Sequence, residues 1–295
     1  MRVALLVALG GCQVVFPRQD PPLPPHCFPP DIPPSADPMV TDSDGDGVVD
    51  ALDNCPSISN DQHDEDNDCR GDACDLCPHV TIDPDVADRD GDSLGANCDP
   101  DDNAPTSFYF DPFRFGVKQV NDWVARSCQW GSGDDVVEQT MAGPVDCFFE
   151  LQAGPAAAGT LHTAVAIDPM TVASVRPFSA GLAFGLDSCA SGCYGTQVTI
   201  SRDATGVWLR AVNVVANNEQ PVLAQQLLVD DALDGEPIGL AVRFSADGSG
   251  TATATIHNLD TPELGFSGQV HVPTDKVGLT SHATTASFEH IFFAR

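Results

Sequence analysis

Between residues 42 and 102 this chain places carboxylates at alternate positions and closes the runs with cysteines. The segment holds nineteen aspartates and Glu65 against only Arg70 and Arg89, within a chain of 295 residues whose formal charge is -30. Like charges this close lie inside a Debye length of about 8 Å and repel one another at physiological ionic strength. Order in such a stretch requires bound cations, and the same acidity excludes nucleic acid, whose phosphates would be repelled.

The first run, DSDGDGVVDALDNCP, covers residues 42–56. Asp42, Asp44, Asp46, Asp50 and Asp53 occupy positions 1, 3, 5, 9 and 12 of a calcium loop, with the Val48 carbonyl at position 7 and Gly47 at the sharp turn. A hard cation takes six to eight oxygens, which this set is built to supply. The consensus loop ends in a bidentate glutamate; Asp53 is shorter, which weakens an EF-hand reading. A second run, 60–75, offers Asp61, Asp64, Asp66, Asp68, Asp72 and Asp75, and a third, 85–99, offers Asp88, Asp90, Asp92 and Asp99.

Residues 42–56 resemble the DxDxDGxxDxxDNCP unit of thrombospondin type 3 repeats, and Asn60, Asp61, Gln62, Asp64, Asp66, Asp68, Gly71, Asp72, Cys74 and Asp75 resemble its NxDQxDxDxDGxGDxCD partner. The likeness covers about one-fifth of the chain. Two departures stand out: Cys69 where that family has glycine, and one aspartate missing from the third run. The resemblance implies a segment of loops with almost no helix or strand, ordered around calcium and pinned by disulfides, with nearest-neighbour cysteine pairing. A solvated acidic linker and a dockerin, which also ends its loops in Asp, are the alternatives. Random acidity would not keep cysteines in register, and dockerin loops lead into helices rather than into Pro56.

The chain begins MRVALLVALGGC, a short apolar run that reads as a secretory signal over residues 1–11. Leu9, Gly10, Gly11 and Cys12 resemble a bacterial lipobox, which implies lipidation of Cys12 and a membrane anchor at the outer membrane or cell surface. An ordinary signal peptide is the alternative. Apart from Cys12, six cysteines lie between Cys27 and Cys98 and four between Cys128 and Cys193. Even numbers in each segment fit disulfides formed outside the cytoplasm, and zinc is the competing use. Residues 12–40 form a linker rich in proline, a stiff spacer of about 3.1 Å per residue.

The acidic repeat segment spans residues 41–103, and ordinary apolar content begins at Ala104. Residues 105–295 are long enough for one cored domain. Period-two runs such as 197–201, 207–212, 239–244 and 251–256, separated by turn signals at 203–206 and 246–250, predict an antiparallel β-sandwich. The fold class expected is therefore all-β, a jelly-roll sandwich preceded by an irregular calcium-bound, disulfide-pinned segment. Residues 276–282 followed by 286–293 resemble the last hairpin of concanavalin A-like sandwiches, the laminin G and glucanase group.

Glycosidases of that group carry alternating carboxylates on one strand, because acid and nucleophile must flank one bond. No such run follows residue 104. Asp134, Asp135, Glu138, Glu150, Asp168, Asp230, Asp231 and Glu289 are scattered and read as solvated surface. Trp123, Trp130 and Trp208 are core candidates first and sugar platforms second. The expectation is a calcium-binding surface lipoprotein that uses its sandwich for adhesion, or to bind a glycan or surface-protein ligand, and is not an enzyme. A polysaccharide hydrolase and a purely structural envelope protein are the alternatives.

Overall fold

The computed structural model describes residues 41–295 apart from 82–86, 114–122, 127, 133–135, 141–145, 152–157, 169–176, 187–194, 216–217, 229–232, 246, 248 and 268–275. Cys12, the proline spacer and the Cys189–Cys193 loop lie outside the described residues. The chain divides into two compact units, residues 1–82 and 83–295. Composition placed the change at Ala104; the third acidic run falls within the second unit.

In the first unit, residues 41–81 consist of turns and bends. Consecutive loops are tied by backbone bonds, with the Gly71 N–H donating to the Asn54 carbonyl at 3.1 Å and Asp72 N–H to the His63 carbonyl at 2.9 Å. Glycine at position 71 permits this approach, since an added Cβ would lie 2.4 Å from Asn54 Oδ1 and displace that side chain. This approach brings Cys55 to Cys74, and the two are joined by a disulfide. The bridge passes over Cys69, so the pairing is not strictly nearest-neighbour. Cys69 and Cys77 are also disulfide-bonded.

The second unit is built from strands that alternate apolar and polar residues, as two-layer packing requires. In chain order they are β1 (Phe108–Asp111), β2 (Trp123–Arg126), β3 (Trp130–Ser132), β4 (Val137–Gln139), β5 (Asp146–Leu151), β6 (Gly159–Ile167), β7 (Phe178–Leu186), β8 (Gly195–Asp203), β9 (Gly206–Val215), β10 (Asn218–Leu227), β11 (Ile238–Phe244), β12 (Ser249–Ile256), β13 (Leu259–Asp260), β14 (Leu264–Ser267), β15 (Lys276–His282), β16 (Ala286–Phe288) and β17 (Ile291–Ala294). Among the described residues they form two antiparallel sheets. One runs β13-β12-β11-β6-β16-β4-β3, with β14 on β12 and β17 joining β6 to β1; the other runs β10-β9-β8-β7-β15-β5-β2. The protein is thus an all-β sandwich, as the alternation predicts.

Aromatic rings lock the layers together. Phe184 of β7 stacks on Phe244 of β11 at 4.6 Å, and within the second sheet Trp123 stacks on Phe149 at 4.7 Å. Trp130 in turn stacks on Phe149 at 5.2 Å, so both tryptophans serve packing. Cys128 and Cys147 are bridged. The turn at 203–206 joins β8 to β9 as expected, with the Thr205 N–H donating to Asp203 at 2.7 Å.

Residues 276–293 do not form the expected hairpin. β15 pairs with β5 and β7 in one sheet, whereas β16 pairs with β4 and β6 in the other. The polar turn at 283–285 is therefore an arch between layers, with Ala283 in the left-handed region at φ 54°. Glu150 is also not solvated surface: it is fully buried and pairs with Lys276 at 3.4 Å.

Candidate cation sites and a pocket on the sandwich

The three acidic loops share one backbone architecture. In the first, Asp42 accepts from the Gly45 and Gly47 N–H groups at 2.7 and 3.1 Å, Asp44 from Asp46 N–H at 3.2 Å, and Asp46 from Val48 N–H at 2.8 Å. The second repeats this: Asp64 accepts from Cys69 N–H at 2.9 Å, Asp66 from Asp68 at 3.1 Å and Asp68 from Arg70 at 2.8 Å. In the third, Asp88 accepts from Gly91 and Ser93, Asp90 from Asp92, and Asp92 from Leu94. Short aspartate side chains do this well, because they bond their own backbone two residues on.

The outcome is convergence. Asp42, Asp44 and Asp46 can each present an oxygen within 4.8 Å of the others, as can Asp64, Asp66 and Asp68, and Asp88, Asp90 and Asp92. In each triad the middle residue, Asp44, Asp66 or Asp90, carries an Oδ2 that is shielded from water and has no hydrogen-bond partner. Burial first, then repulsion by neighbouring carboxylates, raises the pKa of all three groups above the ordinary carboxylate range, Asp66 to about 8. The neighbours responsible include Asp53 for Asp44, Asp75 for Asp66 and Asp99 for Asp90, so the twelfth position faces the triad in every loop. Asp53 is itself 8 % exposed, and its Oδ2 is a further buried oxygen without a partner.

Other expected ligands have different surroundings. Asp50 accepts from the Ser43 N–H and hydroxyl at 2.8 Å, and Asp72 accepts from Glu65 N–H at 2.9 Å and lies 3.0 Å from His63. Both ninth-position carboxylates therefore close the loop onto its second residue. Asp72 is raised to about 7, chiefly by burial. The third loop has Ala96 at that position and closes through backbone instead, Ala96 N–H to the Ala87 carbonyl at 3.3 Å. Asp61 is exposed and accepts from His63 N–H outside the triads.

The sixth position needs a left-handed residue. Gly47 has φ 99°, and Cys69 and Ser93 adopt the same turn at 82° and 77°. The departure at Cys69 thus keeps the loop geometry, as does Ser93, at the steric cost an L-residue meets there.

On the sandwich, the register sets Asp146, His282, Ser179 and Ser201 side by side across β5, β15, β7 and β8. His282 Nδ1 lies 2.8 Å from Asp146 Oδ1. Ser179, Thr199, Ser201, Arg202, Arg210 and His282 line a small cavity of about 110 Å³. Arg210 bonds Asp203 and Gln225 and lies over the half-buried Trp208 ring, so this tryptophan is placed on a polar surface rather than in the core. A larger cleft of about 450 Å³ is lined by both Glu138 and Asp168, with Asp168 bonded to Thr285. Sequence spacing could not show this, because β4 and β6 meet only through β16.

No protein-family model matches the chain, and no curated protein does. Solved structures with a similar strand arrangement include carbohydrate binding module CBM66 from Bacillus subtilis (16 % identity over 57 % of this chain and 92 % of that one, TM-score 0.41). Others are the exoplasmic/lumenal domain of VIP36 in a Ca2+/Man3GlcNAc-bound form (10 %, 63 % and 86 %, TM-score 0.48) and a legume lectin-like domain from Entamoeba histolytica (9 %, 61 % and 94 %, TM-score 0.42). At such identities, and with TM-scores under 0.5, the likeness is one of strand arrangement only.

Proposed function

We propose that the acidic loops are calcium sites and that the protein is a calcium-ordered, non-catalytic binding protein of the cell exterior. The observation that supports this best is Asp53, a buried carboxylate with an unpartnered oxygen set against a triad of further carboxylates. A buried anion without a partner is costly, and a hard cation offsets that cost with several oxygens at once. Asp42, Asp44, Asp46 and Asp53 would hold it in the first loop, Asp64, Asp66, Asp68 and Asp75 in the second, and Asp88, Asp90, Asp92 and Asp99 in the third. The carbonyls of Val48, Arg70 and Leu94 stand at the seventh position. The ion's role there is structural, neutralising charge so that the chain can fold back on itself.

Disulfides in both units support an oxidising compartment. The sandwich is then the recognition element, and the cavity beside Arg210 and Trp208 suits a small polar group such as a glycan substituent. A lipid on Cys12 would anchor the assembly, and mass spectrometry of the mature N-terminus tests it. For calcium, isothermal titration of the chelated full chain should show at least one ion per loop, with Asp53→Asn weakening binding at the first. A flat titration would refute the reading. For the sandwich, retention on glycan without release of reducing sugar is expected; turnover lost on substituting Glu138 or Asp168 would instead favour a hydrolase.

A further inference from the structure

We propose that the third loop is a cation-set latch on the sandwich: an ion held by Asp88, Asp90, Asp92 and Asp99 fixes Leu94 over the outward side of β17, making sandwich stability calcium-dependent. This rests on the calcium reading above.

In a two-layer sandwich, alternate residues of a strand face the partner sheet and the residues between them face away. Along β17, Ile291 and Phe293 join the central core, whereas Phe292 and Ala294 belong to a separate cluster. Outward residues of an uncovered sheet would meet water, yet Phe292 and Ala294 are both 0 % exposed. Leu94, itself 1 % exposed, covers them, with Phe110 and Cys98 packed alongside.

Leu94 occupies the seventh position of the third loop, where a calcium loop uses the backbone carbonyl as ligand. Its N–H donates to Asp92 Oδ1 at 2.8 Å. One residue is therefore fixed by the loop through its backbone and covers the sheet with its side chain. The seventh residues of the other loops do not repeat this, as Val48 is half-buried and Arg70 exposed.

A second tie runs through Thr106. Its N–H donates to Asp92 Oδ2 and its hydroxyl donates to Asp99 Oδ1 at 3.1 Å. Its neighbour Ser107 exchanges two backbone bonds of 2.9 Å with Arg295, extending the β1–β17 pair. Two of the four carboxylates assigned to the ion are thus bonded to the residue that leads into the sheet. Asp90 keeps an oxygen buried among these carboxylates without a partner. Without a cation, repulsion among the four drives the loop open and withdraws Leu94 from Phe292.

The test uses the full mature chain and its intrinsic fluorescence, because all three tryptophans, Trp123, Trp130 and Trp208, lie in sandwich strands. Thermal melts with calcium about 100-fold above its dissociation constant should sit roughly 5–10 °C above melts in chelator. Asp90→Asn should lose most of that shift, and Asp44→Asn in the first loop should keep it. Leu94→Ser should bind calcium in titration yet melt near the chelated temperature, which separates the latch from ion binding itself. If no ion binds, the calcium reading fails and the latch with it. If ions bind but Asp90→Asn and Leu94→Ser keep the full shift, the latch alone is wrong.

Discussion

Among residues 41–81 the buried side chains are Asp53, Asn54, Cys55, Cys77 and Pro78, whereas the sandwich buries rings and branched aliphatics such as Phe148, Phe288, Leu182 and Ile200. The first set holds almost no apolar area to remove from water. Hydrophobic burial supplies most of the driving force in an ordinary domain, at roughly 25 cal/mol per Å², and here it is nearly absent. What remains is carboxylate-to-backbone turns, a covalent bridge and charge awaiting neutralisation. The sandwich has the opposite balance: its charge is sparser, and buried carboxylates such as Glu150 and Asp146 have partners in Lys276 and His282. The first unit therefore answers to ion concentration, whereas the second answers chiefly to core packing, with the third loop as its calcium-dependent element.

The largest expected effect follows directly. Chelation should abolish amide-exchange protection across residues 41–81 while β8 and β9 stay protected, and equal loss in both units would erase the distinction. The disulfides sharpen it, because Cys55–Cys74 and Cys128–Cys147 each span 19 residues. Chain entropy assigns each about 3 kcal/mol. Cys55→Ser/Cys74→Ser should remove most of the order of the first unit even in calcium, whereas Cys128→Ser/Cys147→Ser should lower the denaturant midpoint of a sandwich that still folds. Similar collapse of both would mean that the sandwich core is weaker than its packing indicates.

Acid should separate the units in a further, smaller way. His162 Nδ1 and His290 Nε2 lie 2.8 Å apart with the rings stacked at 5.1 Å. Burial, and for His162 the second imidazole, lowers both from the usual value of 6.5 to about 3. The unfolded chain then binds protons that the fold does not, so this contribution is present above pH 6.5 and is lost as pH falls towards 3. Sandwich stability should drop across that window, and His162→Gln/His290→Gln should flatten the drop. An unchanged pH profile in the double variant would remove the pair as its cause.

The triads were legible because a period of two in aspartate needs no tertiary information: the second and third members bond the backbone two ahead, the first reaches as far as five ahead, and the oxygens converge. The strands were legible for the same reason, since alternation reports one wet and one dry face. What sequence could not show depended on contacts distant in the chain. Glu150 looks like surface until β15 brings Lys276 beside it. The turn at 283–285 looks like a hairpin until β15 and β16 take partners in different sheets. Asp50 and Asp72 sit at ligand spacing but bond the second residue of their loop. Leu94 carried the plainest missed signal, an apolar residue where the second loop has Arg70, and only the burial of Phe292 gives it meaning.

The smallest effect tests whether the three loops are one device. Gly47, Cys69 and Ser93 share a left-handed backbone at the sixth position. An L-residue pays about 1–2 kcal/mol there, partly offset because glycine has more freedom to lose from the unfolded chain, by roughly 0.5–1 kcal/mol. Ser93→Gly should therefore strengthen the third loop by about 0.5–1 kcal/mol, which is roughly a two- to five-fold gain in calcium affinity. The bond from residue 93 to Asp88 is made by the backbone and survives the change. Gly47→Ala should weaken the first loop by a similar factor through backbone strain alone, because nothing lies within 4 Å of the added Cβ. Titration calorimetry on the two variants reads both effects. Opposite signs of similar size would show one turn geometry serving both units, whereas an Ser93→Gly variant that binds no better would mean that contacts with the sandwich, and not the turn, set the third loop's affinity.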